Sequence, residues 1–196
     1  MSRKRTAILG ALLTALAPIS MAIYTPAMPE LTRVFATTEP AVKLSLSLYF
    51  AGFAIAQLIS GPASDAFGRR KASLFFLSIF LGGGMLAVFA PTIEVLLVAR
   101  LVQGIGASVG MTVARAVVRD QFTGADASSI MNLIGIMLAV GPAMGPTIGG
   151  LSLAAFGWQS VFFLMAGLGA IAIFSVVVFL RETTVPDRNL IRPRRL

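Results

Sequence analysis

Residues 127–180 read ASSIMNLIGIMLAVGPAMGPTIGGLSLAAFGWQSVFFLMAGLGAIAIFSVVVFL, 54 consecutive positions without a charged side chain. As one helix this stretch would be about 80 Å long at about 1.5 Å per residue, against a bilayer hydrocarbon core of roughly 30 Å. It is therefore read as a hairpin of two spanning helices, 127–150 and 158–180, with the turn at 151–157 and Trp158 as an interfacial anchor. Lipid offers the backbone no hydrogen bonds, so spans of this length must be helical.

Counting charge-free intervals outward from this hairpin gives four more spans, at 6–24, 41–63, 72–90 and 93–114. Pro26 and Pro29 are expected to end the first, and Gly61-Pro62 lies near the end of the second. Arg3 to Arg5 precede an uncharged run, 6–29, long enough to span, so the segment reads as a first helix and not as a cleavable signal. The fold class is an all-α membrane protein of six transmembrane helices (1–180) followed by a basic cytoplasmic tail or the start of a linker (181–196).

Composition supports this class. Of the 196 residues 57% are hydrophobic and 12% charged, whereas a soluble domain carries about a quarter charged residues. The absence of cysteine and histidine removes thiol chemistry, disulfides, imidazole acid–base catalysis and the usual zinc ligands, so neither an enzyme nor a metal site is expected. The net charge of +8 is not spread over a solvated face, which speaks against a nucleic-acid partner. Of the Lys and Arg residues, 13 fall on one side of the spans and 2, Arg33 and Lys43, on the other, while Arg100 lies inside a span. That bias places both termini in the cytoplasm.

Three motifs lie within this frame. Between the second and third spans stands Gly61-Pro62-Ala63-Ser64-Asp65-Ala66-Phe67-Gly68-Arg69-Arg70-Lys71, in which glycines permit a tight turn beside an acid and a basic run. The fourth span holds Arg100, Gln103, Gly104 and Gly106. A charge there, about 9 Å from the span's end, must either face the bundle interior with a partner or snorkel to the interface. In the fifth span Gly141, Gly145 and Gly149 repeat every four residues with Pro142 and Pro146 in register, followed by Gly150. This gives a flat surface for helix approach on a bent helix.

These segments resemble the signature loop, the Arg-containing motif and the antiporter motif of the major facilitator superfamily. With the Tyr24-Thr25-Pro26 region and Gly157-Trp158-Gln159, the chain is similar to its branch of bicyclomycin- and chloramphenicol-type drug:proton antiporters. The resemblance implies the N-terminal half of a twelve-helix fold, itself built of 3+3 inverted repeats, and drug efflux by proton antiport in a bacterial inner membrane. It implies protons as the coupling ion, a small amphipathic drug-like substrate, no cofactor, and a second six-helix half or a parallel homodimer as partner. Tyr24, Tyr49, Gln57, Arg100, Gln103 and Asn132 are the candidate pathway residues. Gly61, Asp65, Gly68, Arg69, Arg70, Arg119 and Asp120 form a candidate cytoplasmic gating latch, closed by Asp65 and Arg69 with Arg119 or Asp120. Ala22 stands where this branch commonly has an aspartate, and no Asp or Glu lies deep in any span. Without its second half, the unit is expected to leave polar groups such as Arg100 and Gln57 facing lipid. A non-transporting fragment and an uptake transporter are the alternative readings.

Overall fold

A computed structural model describes residues 2–184. The chain runs through α1 (Arg3–Tyr24), a 3-10 turn (Thr25–Ala27), α2 (Met28–Val34), α3 (Glu39–Phe67), α4 (Arg69–Val88), α5 (Ile93–Gln121), α6 (Gly124–Phe156) and α7 (Trp158–Phe179). Six helical segments are long and apolar enough to cross a membrane, the first comprising α1, the turn and α2 together. No strand occurs among the described residues. The part of the expected tail from 185 to 196, with its four arginines, lies outside them.

The spans are where hydropathy puts them, but their ends differ for identifiable reasons. The first does not stop at Pro26 and Pro29. Each proline instead sits in the first turn of a new helical segment, where its missing N–H is not needed. α3 continues through Pro62 to Phe67 and stops at Gly68, whose φ of 96° ends the helix. α6 is not closed at 150: it runs to Phe156, and the hairpin turn narrows to Gly157 at φ 78°. At about 44 Å for α3 and α5 and about 50 Å for α6, these helices are longer than the hydrocarbon core of about 30 Å is thick.

α1 and α5 form the centre and α6 is the most exposed helix. α5 packs on α1, α3 and α4, and α1 packs also on α6 and α7. Exchanging α1 with α5, α3 with α6 and α4 with α7 maps the α3–α5 contact onto α6–α1 and the α3–α4 contact onto α6–α7, while α4–α7 maps onto itself. That is the pattern of two inverted three-helix repeats. Backbones meet closely where side chains are absent. A Cβ on Gly52 would collide with the Leu101 carbonyl, and one on Gly104 with that of Tyr49, so α3 and α5 interlock at this pair.

Candidate functional site

α5 carries the most fully buried charge among the described residues. Arg100 has 0% exposure, so it neither snorkels nor faces lipid, and the expectation that an open face would strand it is overturned. The half-bundle encloses it by itself: its Cζ lies 4.4 Å from the centroid of the Tyr24 ring and 4.3 Å from that of Tyr49. Nη1 donates to Gln103 Oε1 and contacts Met165 Sδ at 3.7 Å, and Gln103 Nε2 reaches the same sulfur at 3.6 Å. Nε and Nη2 have no hydrogen-bond partner among the described residues. A cation clamped between two aromatic faces gains about 2 kcal/mol or more per face when desolvated, which offsets burial of a charge that has no ion-pair partner among the described residues. The clamp is held from outside: the Tyr24 hydroxyl hydrogen-bonds Ser45, which donates to the Val42 carbonyl at 2.6 Å, and Tyr49 donates weakly to the Ala17 carbonyl at 3.4 Å.

Tyr49 also walls a cavity of about 440 Å³ between α1, α3, α5 and α6, with Met21, Ala22, Phe50, Phe53 and Pro142. Its lining is almost wholly apolar and aromatic. A second cavity of about 450 Å³ continues along α3 and α5 towards the basic end of the bundle, lined by Gln57, Asp65, Arg69, Thr112, Arg115 and Arg119. Met111 lines both cavities and accepts from Gln57 Nε2 at 3.4 Å. Gln57 thus faces this open side of the bundle. Asn132 does not: it lies in a separate groove between α1 and the start of α6.

The basic loop between α3 and α4 builds a polar cluster. Arg69, 5% exposed, pairs with Asp65, donates from Nε to Asp120 Oδ2 at 3.1 Å, and donates from Nη1 to Ser64 at 2.7 Å. Of the two alternatives for the second latch partner, Asp120 is in the cluster. Arg119 is exposed and makes no ion pair among the described residues. Sequence reasoning missed Glu182 and Thr183. Glu182 accepts the backbone N–H groups of Arg69 at 2.7 Å and Arg70 at 3.3 Å, capping α4, and Thr183 donates to Asp120 at 2.9 Å. Gly68 makes this possible, because any Cβ there would strike the Glu182 carboxylate. Arg70 reaches the Val177 carbonyl in the last turn of α7 at 2.9 Å. The available signal was that α4 starts at a glycine with no capping side chain or first-turn acid, leaving its N–H groups to a distant acceptor.

The glycine stripe of α6 packs on α1. A Cβ on Gly141 would meet Ile19 at 2.5 Å, one on Gly145 would overlap the Ala22 side chain, and one on Gly149 the Ile23 carbonyl. Gly150 faces open space and Pro146 is exposed, so neither joins the contact. Ala22, against Gly145, lies where α1 and α6 close together.

Comparison with known proteins places these features in context. The family model described as Major Facilitator Superfamily matches residues 10–196. An uncharacterized MFS-type transporter, YdgK of Bacillus subtilis, is 35% identical over 190 residues, which are 96% of this chain and 47% of that protein. A chloramphenicol resistance protein of Pseudomonas aeruginosa is 36% identical over 165 residues, 80% of this chain and 38% of that protein. The crystal structure of the human organic anion transporter MFSD10 (TETRAN) superposes with a TM-score of 0.76 at 18% identity, covering 96% of this chain and 50% of the other. That match bears on the fold alone. The chain spans about half the length of the curated relatives it matches.

Proposed function

The chain belongs to the major facilitator superfamily as a multi-pass membrane protein, and from that premise we propose that it is the N-terminal half of a drug exporter driven by proton antiport. In this reading both termini are cytoplasmic, the membrane is the bacterial inner membrane, and the substrate is a small amphipathic molecule. The observation that carries the reading is the shared wall. Tyr49 lines the apolar cavity on one side and stacks on the buried Arg100 guanidinium on the other. A ligand that moves Tyr49 therefore changes the environment of the most fully buried charge among the described residues. The cavity's apolar and aromatic lining suits a flat or branched lipophilic molecule with few polar groups. The similarity to a chloramphenicol resistance protein supports the same substrate class.

The cavity is open on the face formed by α3, α5 and α6, which the second half of a complete transporter would cover. We place there either a matching six-helix half or a second copy of this chain in parallel orientation, related by an axis along the membrane normal. Asp65, Arg69, Asp120 and Glu182 then act as the cytoplasmic latch of one conformational state. The coupling proton finds no carboxylate deep in this half, so it must be carried by groups of the partner half or by ligand exchange at Arg100. Because the chain has no cysteine, Gln57→Cys gives a single cross-linking site on the open face. Cross-linking between subunits, together with lowered drug accumulation in cells that an uncoupler reverses, is the expected result. A monomeric chain that exports drug removes the assembly part of the reading. A cross-linked pair that leaves accumulation unchanged favours a non-transporting fragment.

A further inference from the structure

Away from the open face, a groove of about 700 Å³ runs between the start of α1 and the first half of α6, lined by Arg3, Lys4, Ile8, Asn132, Leu133 and Ile136 among others. Its polar wall is bridged from α1 to α6 by an exposed ion pair. Arg3 pairs with Asp126 at 3.0 Å and donates to Ser129 Oγ at 2.7 Å. Asp126 is taken up by Arg3, whereas Lys4 is exposed and makes no ion pair among the described residues, leaving the rim cationic. The lining then changes with depth. From Ser129 to Ile136 α6 descends seven residues, about 10 Å or a third of the hydrocarbon core, and its lining passes from the Ser129 hydroxyl and Asn132 amide to leucine and isoleucine. The groove thus joins a cationic, hydrogen-bonding mouth at the membrane surface to an apolar floor inside the bilayer.

We propose that this groove binds one anionic phospholipid, with its phosphate at Lys4 and Arg3, a phosphate oxygen accepting from the Asn132 amide, and an acyl chain along Ile8, Leu133 and Ile136. Charge complementarity selects the anionic headgroup. The apolar floor selects a lipid over a free phosphate, which would leave it uncovered. The groove is also distinct from the face assigned to a second half. On α6 that face carries Met131, Leu138 and Pro142, and at about 100° per residue Asn132, Leu133 and Ile136 point at least about 100° away from Met131. This site stands independently of the drug-export reading.

The test is native mass spectrometry of the whole chain released from nanodiscs holding equal amounts of phosphatidylglycerol and phosphatidylcholine, with inorganic phosphate added in a parallel arm. One phosphatidylglycerol should be retained in several-fold preference, and added phosphate should not displace it. Lys4→Gln should lower that preference about fivefold, as expected for one surface cation. Ile136→Trp and, separately, Leu133→Trp fill the floor without altering charge and should each release the lipid while helicity is unchanged. Equal retention of the two lipids, displacement by phosphate, lipid kept by both folded tryptophan variants, or a lipid-free dimer would overturn the proposal.

Discussion

Replacing Tyr49 by leucine removes one of the two rings that clamp Arg100. Loss of a desolvated cation–π contact costs about 2 kcal/mol, and shrinking a fully buried aromatic side chain adds about 1–2 kcal/mol for the space left behind. The sum is about 3–4 kcal/mol. Tyr49→Phe keeps the ring over the guanidinium at its 4.3 Å separation and gives up the hydroxyl's contacts, the long one to the Ala17 carbonyl and one to the Ser20 side chain, a loss of about 1 kcal/mol. The assay is equilibrium unfolding in mixed micelles by increasing dodecyl sulfate, read from the fluorescence of Trp158. This is the only tryptophan in the sequence, and it packs edge-on against Phe35 and Phe162. Repeating Tyr49→Leu in an Arg100→Met background isolates the pair. There its cost should fall by about 2 kcal/mol, because no cation remains to lose a partner. A Phe variant as unstable as the Leu variant, or an unchanged cost in the Arg100→Met background, would show that the clamp is ordinary packing.

Other perturbations test the remaining contacts. Gly145→Leu forces a side chain into Ala22 and should abolish export while membrane insertion, measured by fractionation, persists. Asp65→Asn leaves Arg69 its contact with Asp120 and should cost at most about 1 kcal/mol. The Asp65→Asn/Asp120→Asn double variant strands a buried guanidinium and should cost about 3–5 kcal/mol in the same unfolding assay. Glu182→Gln removes the anionic cap from α4 and should lower stability by about 0.5–1 kcal/mol, with amide exchange rising first at Arg69 and Arg70.

The spans and the family were legible because both depend on local sequence. A run of 54 uncharged residues can only be a membrane hairpin, and Gly61 to Lys71 and Gly141 to Gly150 are contiguous motifs. Helix ends were less legible. Proline and glycine were read as breakers at Pro26, Pro62 and 151–157, yet Pro26 fits the first turn of a new segment, Pro62 is carried inside α3, and Leu151 to Phe156 stay helical. The arginine clamp could not be read at all. Tyr24, Tyr49 and Arg100 belong to three different helices, so their convergence is a product of packing, and each residue alone looks only like a polar group in a span. Glu182 was hidden likewise, because its partners are backbone N–H groups more than a hundred positions away.

The most direct measurement is drug flux in proteoliposomes of oriented protein under an imposed pH gradient, comparing the chain alone, the chain cross-linked as a pair, and the chain combined with a matching C-terminal half. Uphill movement of a chloramphenicol-type substrate that appears only in an assembled form, follows the gradient and collapses on adding an uncoupler is the result expected of half of a proton-driven exporter. Assembled protein that moves no substrate, or moves it at a rate indifferent to the gradient, contradicts that account.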